Sequence, residues 1–200
     1  MISIFRVGKR IKIGFFLMFA GAISMAAQIS VKTNLISDVL LSPNIGVEMK
    51  VAPHWSVDLT GQVNFWELSR HHYQWKHWLV QPEARYWLCS PFSGHFFAIN
   101  ASVGEYDIAN LKNNVTFLGT KFKDLSHHRF QGWGAGAGIA YGYSWILARH
   151  WNIEAEIGIG WVYSRYDEYN CVGCEKKISS NKVHNYVGPT KLAVNLEYIF

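Results

Sequence analysis

The sequence predicts an all-β fold: an eight-stranded antiparallel up-and-down transmembrane β-barrel with a polar, side-chain-filled lumen. Three observations carry that expectation. Long segments alternate apolar and polar residues with the period of two that side chains follow along a strand. The connections between them alternate short and long, as in a barrel with brief turns at one rim and loops at the other. The aromatic residues on the apolar face fall at two levels about ten residues apart, with Val, Leu, Ile, Ala and Gly between them. A membrane strand tilted between two interfaces has that pattern, whereas a soluble ligand-binding barrel has no cause to keep aromatics at two levels.

The basic N-terminal segment comes first. Arg6, Lys9, Arg10 and Lys12 precede the apolar run Ile13 to Ile23 and then Ser24-Met25-Ala26-Ala27. This order is that of a cleaved secretory signal peptide, and the run is too short to span a bilayer. Residues 1–27 are therefore expected to be removed, leaving residues 28–200 as one domain. The full chain carries 19 Lys+Arg and 14 Asp+Glu. Four of the cations leave with the signal, so the mature chain is nearly neutral and its basic pI gives no reason to expect nucleic acid as a partner.

Eight strands are expected at Ser30–Leu40, Asn44–Val51, Trp55–Trp66, His77–Leu88, His95–Tyr106, Gln131–Trp145, Trp151–Ser164 and Val187–Phe200. In the third, Trp55, Val57, Leu59, Gly61, Val63 and Phe65 alternate with Ser56, Asp58, Thr60, Gln62 and Asn64. The seventh repeats the pattern from Trp151 to Trp161. The eighth ends on an aromatic, and Tyr198 and Phe200 are read as a C-terminal insertion signal for outer-membrane assembly. Pro82 lies inside the fourth strand, where its missing N–H predicts a bulge.

The two faces then acquire different roles. Trp55, Tyr86, Trp145, Trp151 and Phe200 form the expected girdle at the short-turn rim. Phe65, Trp78, Trp133 and Trp161 form the expected girdle at the loop rim. The polar face turns inward and places Lys32, Glu48, Lys50, Asp58, Glu83, Arg85, Glu154, Glu156, Lys191 and Glu197 in the lumen, joined by Asn34, Gln62, Gln81, Asn100 and Asn195. Both signs are present, so pairing across the lumen is expected. An eight-stranded barrel is only wide enough to be filled by side chains, which favours a plugged interior over a pore.

Trp75-Lys-His-Trp-Leu-Val-Gln-Pro-Glu-Ala-Arg-Tyr-Trp87, Val31-Lys-Thr-Asn-Leu35, Ser42-Pro-Asn-Ile-Gly-Val-Glu48 and Gly94-His-Phe-Phe97 resemble a family of Bacteroidales outer-membrane proteins labelled domain of unknown function 3575. His128-Arg-Phe-Gln-Gly-Trp133, Ser144-Trp-Ile-Leu147, Trp151-Asn-Ile-Glu154 and Gly188-Pro-Thr-Lys191 extend the resemblance over nearly the whole mature chain. It implies a small outer-membrane barrel, sometimes encoded near fimbrial or surface-protein genes. It implies no activity and no catalytic residues.

The remaining candidates for chemistry are local. Cys171-Val-Gly-Cys174 lies in the last expected loop, where an oxidising compartment favours a disulfide. A half zinc site with His184 or a redox pair are the other readings. Cys89 is left as an odd, partly buried thiol. His71-His72 and His127-His128 occupy different loops, and neighbours on an extended segment point apart, so neither pair chelates well alone. Ser164 and Glu168, and Ser126 with His127, are residue types used by lipid A acyl hydrolases, but no spacing marks a triad.

The expected function is that of a small outer-membrane barrel without enzymatic activity, metal or cofactor. Both mature termini face the periplasm, and extracellular loops, in which basic residues outnumber acidic ones, contact lipopolysaccharide, a surface polymer or a fimbrial protein. Outer-membrane lipid and the barrel-assembly machinery are the other expected partners. A lipid A-modifying enzyme and a narrow channel are the alternatives.

Overall fold

A computed structural model describes residues 28–68, 73–109, 116–117, 120–121, 129–169 and 177–200. The expected signal segment, both histidine pairs, Ser126, Cys171 and Cys174 lie outside the described residues. The elements are β1 (Ile29–Asn34), α1 (Leu35–Val39), β2 (Asn44–Ala52), β3 (Trp55–Leu68), β4 (Tyr73–Trp87) and β5 (Gly94–Ala109). There follow the two-residue strands β6 (Thr116–Phe117) and β7 (Thr120–Lys121), then β8 (Arg129–Ile146), β9 (Trp151–Tyr169) and β10 (Lys177–Ile199). β6 and β7 pair only with each other.

The other eight strands form one antiparallel sheet in the cyclic order β1-β10-β9-β8-β5-β4-β3-β2. The sheet closes where β1 meets β10, from Ser30 opposite Ile199 to Asn34 opposite Asn195. Alternation sorts the side chains as the physics of a pleated wall requires. Ser56, Asp58 and Asn64 of β3 are buried inside, while Trp55, Val57, Leu59, Val63 and Phe65 are exposed outside. In β9, Asn152, Glu154 and Glu156 are buried, and Trp151, Ile157, Ile159 and Trp161 are exposed.

The expectation of eight strands that all cross the full height of the wall is corrected. β1 ends on the row Asn34–Asn195–Glu154, only three residues above Trp151. β2 begins at Asn44 opposite Gln62, three residues short of Phe65. Above those rows the wall consists of six strands, so closure by strand pairing is confined to the lower part of the barrel. The segment expected to continue the first strand to Leu40 is instead α1, because Asn34 is an N-cap: its side chain accepts a hydrogen bond from the Ile36 N–H at 3.1 Å. Among the described residues, no helix is long and apolar enough to cross a membrane, which leaves strands as the only crossing elements to consider.

The gap between β10 and β3 is filled by α1 and the turn that follows it. On the inner side, Ser37 reaches Gln62 at 3.4 Å and Ser42 accepts from Asn64 at 3.0 Å. Asp38 accepts from Thr33 at 2.6 Å and from Asn44 at 2.9 Å. On the outer side Val39, Leu40 and Leu41 are exposed, Val39 by 80%. The ends of the ladder are capped locally: Asn34 Oδ1 accepts from the Val194 N–H at 3.2 Å, and the Pro43 carbonyl accepts from the Val63 N–H at 3.1 Å. An amphipathic plug thus replaces the missing upper parts of two strands.

Two prolines interrupt pairing in different ways. Pro82 remains opposite Leu59 of β3, but pairing with β5 is absent between Val80–Val103 and Glu83–Asn100. The register on either side of that interruption is the same, so the expected bulge is not formed and the missing donor is accommodated by two unpaired positions. Pro189 does coincide with a register shift, between Pro189 and Lys191 on the β9 side.

The capping role of Asn34 is testable. Asn34→Leu removes the acceptor shared by Ile36 and Val194 and is expected to cost about 1–3 kcal/mol, read as a lower urea midpoint for unfolding in detergent. An unchanged midpoint would show that the junction between β1 and α1 does not depend on this side chain.

Candidate functional site: a buried ionic lumen

The described polar network is built on Arg85, which β4 presents inward between Glu83 and Trp87. Its guanidinium is 1% exposed and reaches four carboxylates. Nε binds Glu83 at 2.5 Å, Nη1 binds Glu48 and Glu154 at 2.8 Å each, and Nη2 binds Glu156 at 2.9 Å. These contacts run from β4 to β2 on one side and to β9 on the opposite wall. A planar cation with several donors can join that many acceptors, which a lysine ammonium cannot do in the same geometry.

Two lysines complete the cross-links. Lys32 of β1 lies 2.5 Å from Glu48 and 2.9 Å from Asp58, its stem passing over Gly46, where any Cβ would fall 2.9 Å from Lys32 Cγ. Lys191 of β10 pairs with Glu156 at 2.9 Å and with Glu83. Neutral donors saturate further oxygens: Ser56 donates to Glu48 at 2.5 Å, Asn195 to Glu154 at 2.7 Å, and Ser30 to Glu197. The remaining oxygen of Glu197 has no hydrogen-bond partner among the described residues.

Of the ten residues predicted for this network, nine sit in or against it. Lys50 is the exception. It pairs in the ladder with Ser56 but is half-exposed at the turn end of β2, beyond the reach of the cluster. Three cations, Lys32, Arg85 and Lys191, thus face six carboxylates: Glu48, Asp58, Glu83, Glu154, Glu156 and Glu197. With acid in excess, the structure leans on each cation more than a balanced network would.

Below the charges lies an aromatic floor that the sequence analysis missed. Trp87 and Phe96 are fully buried, their rings 4.6 Å apart, and the Arg85 guanidinium sits 4.5 Å from the Phe96 ring centre. Trp87 donates its indole N–H to Ser56 at 2.7 Å. Phe92, at φ 68°, packs beside Trp87, and its carbonyl accepts from Asn152 at 2.7 Å. The signal was present in the alternation: Glu83, Arg85 and Trp87 share a parity, as do Ala98 and Phe96. Gly142 faces Phe96 so closely that an added Cβ would lie 2.3 Å from the ring.

The nine aromatics assigned to girdles all occupy the outer face. Trp55, Tyr86, Trp145, Trp151 and Phe200 are exposed toward the short-turn rim, and Phe65, Trp78, Trp133 and Trp161 toward the other. Tyr198 and Phe200 stack edge-on with ring centres 5.0 Å apart, and the Phe200 N–H donates to the Ile29 carbonyl at 3.0 Å.

Other candidates are corrected or dispersed. Cys89 is exposed rather than partly buried, because it lies just past the end of β4. Ser164 stands opposite His184 in the ladder, and Glu168 pairs with Lys182 at 2.7 Å. Among the described residues no group of His, Cys, Asp and Glu is arranged to hold a metal ion. The reading of a fully walled eight-stranded barrel is also corrected: the upper wall has six strands and a helical plug. Among the described residues, the organised chemistry lies in the lumen and on the wall.

Removing Arg85 provides the test of the lumen. Arg85→Met keeps much of the side chain's volume but leaves four buried carboxylates without their common cation. A loss of about 3–5 kcal/mol is expected, seen as a large fall in the urea midpoint or as failure to fold. Arg85→Lys should recover only part of it, because one ammonium cannot span both walls. Equal stability of Arg85→Lys and the parent would remove the argument from guanidinium geometry.

No curated protein and no solved structure matches the chain. A family model matches residues 13–200, and the chain belongs to that family, described as protein of unknown function DUF3575.

Proposed function

We propose that the protein is seated in a lipid bilayer, the outer membrane of a Gram-negative cell, as a sealed and non-conducting wall element rather than a pore or a catalyst. The observation that carries this reading is the inversion of polarity across the sheet. Its interior buries Lys32, Arg85 and six carboxylates to under 5% exposure, while its exterior presents Ile45, Val57, Leu59, Ile99, Ile139, Ile157, Ile159 and Leu192. A barrel in water buries its apolar face. One in lipid does the reverse.

The dimensions support the same reading. Ten residues separate Trp55 from Phe65 and Trp151 from Trp161. At the rise and tilt of a barrel strand this is about 25 Å, the height of the apolar band on an outer-membrane barrel. The exposed Val39, Leu40 and Leu41 belong to this surface, since they cover the wall where β1 and β2 stop. Sealing follows from the cross-lumen pairs. Arg85 joins β4 to β9, Lys191 joins β10 to β4, and Lys32 joins β1 to β3, which sets paired side chains across the interior. The pairing of Glu168 with Lys182 supports a non-catalytic role.

Tryptophan fluorescence should be quenched when the protein is reconstituted with lipids brominated along their chains, and planar bilayers containing it should show no steady conductance. Ile159→Arg places a charge midway between the belts and is expected to cost about 2–4 kcal/mol, whereas the same change at the rim position Val183 should cost far less. Absence of quenching, or equal costs at the two positions, would overturn the bilayer placement.

A further inference from the structure

One row of side chains on the outer wall serves neither the lumen nor the apolar band. In the ladder Trp78 stands opposite Glu105, Glu105 opposite Trp133, and Trp133 opposite Arg165. Residues paired across strands share a face and lie side by side, so β4, β5, β8 and β9 present an indole, a carboxylate, an indole and a guanidinium in sequence. All four line a groove of about 520 Å³, whose rim also includes Phe65 and Asn181. Two of the four, Trp78 and Trp133, belong to the upper girdle.

The charges in this groove differ in how far they are already committed. Asp107 is held by Arg129, whose Nε lies 2.8 Å from it, and that hydrogen bond raises the Arg129 pKa further. Asp167 accepts the Asn181 N–H at 2.8 Å, and Lys76 also has a partner. Glu105, by contrast, is exposed and among the described residues receives only the Trp78 indole N–H, at 3.1 Å on Oε2. Arg165 is exposed and has no hydrogen-bond or ion-pair partner among the described residues. Glu105 and Arg165 are two strands apart, about 10 Å between their backbones, with Trp133 on the strand between them. They flank that residue without pairing to each other among the described contacts.

An open anion and an open cation on either side of an aromatic face match a ligand that carries both charges a short distance apart. We propose that this row binds the headgroup of a zwitterionic phospholipid of the phosphoethanolamine type. The phosphate accepts hydrogen bonds from Arg165, and the ammonium lies against Glu105 and the face of Trp133. The lipid's chains lie along the apolar wall below the girdle, so the proposal rests on the bilayer placement above. A purely anionic headgroup would satisfy Arg165 but would be repelled by Glu105.

The full chain, reconstituted in an equal mixture of phosphatidylethanolamine and phosphatidylglycerol and released into detergent, provides the measurement. Native mass spectrometry should find retained phosphatidylethanolamine in roughly tenfold excess. Arg165→Gln is expected to lose retention of both lipids. Glu105→Gln keeps an acceptor for the Trp78 indole but removes the charge, so it should lose the preference and retain phosphatidylglycerol. Free phosphoethanolamine, which has no chains, should fail to displace the lipid. Equal retention of the two lipids by the parent, or unchanged retention in both variants, would overturn the proposal; displacement by free phosphoethanolamine would overturn its lipid source. Quenching by brominated chains, measured on the same samples, separates the two readings. If quenching persists while the preference is absent, only the headgroup site fails; if it is absent in the parent, both fail.

Discussion

The charged centre of this barrel is arranged around one guanidinium. Arg85 holds Glu48, Glu83, Glu154 and Glu156 at once, and those carboxylates come from β2, β4 and the far wall, β9. Charges taken out of water are costly unless each is paired and hydrogen-bonded. Once Arg85 is placed, its partners have little freedom: Glu48 also takes Lys32 and Ser56, Glu154 takes Asn195, and Glu156 takes Lys191. The fold therefore has a polar centre that specifies register across the lumen, where an apolar core would tolerate sliding.

The outer wall solves a different problem: in the proposed bilayer placement, backbone groups facing lipid cannot be left without partners. Six long strands satisfy this by pairing. β1 and β2 stop early, and the unpaired edges are met by Asn34, by the Pro43 carbonyl and by α1. The plug has polar side chains toward Gln62 and Asn64 and apolar ones outward, reproducing the inside-out polarity of the strands it replaces. A lumen locked by ion pairs and a wall patched by a short helix suit the proposed placement, in which a protein of fixed shape offers its outer surface to lipid.

The row from Trp78 to Arg165 belongs to this outer surface, and in the proposed reading it makes the girdle more than an anchor. Its indoles sit at the level of the other upper aromatics, but the residues between and beside them are charged. Phe65 and Trp161 lie at the same level without open charges beside them: the Phe65 row holds Lys76, Asp107 and Asp167, each already engaged, and Trp161 is opposite Ala137 and Val187. The chemistry of the girdle is therefore concentrated on one side of the barrel.

The sequence by itself determined which residues face in and which face out, because strand alternation is a local property with a period of two. The lumen set apart from Lys50, both aromatic levels and most strand positions follow from it. The aromatic floor was within reach of the same rule, since Trp87 continues the parity of Glu83 and Arg85. Only the tertiary structure decided which inward charges meet, because Arg85 and Glu154 are brought together by the register of strands distant in the chain. It also decided that the chain turns into a helix after Asn34, where a cap and tertiary contacts overrode the apolar pattern running to Leu40. The open pair Glu105 and Arg165 became visible for the same reason: their shared row is set by pairing through β8 and not by any spacing along the chain.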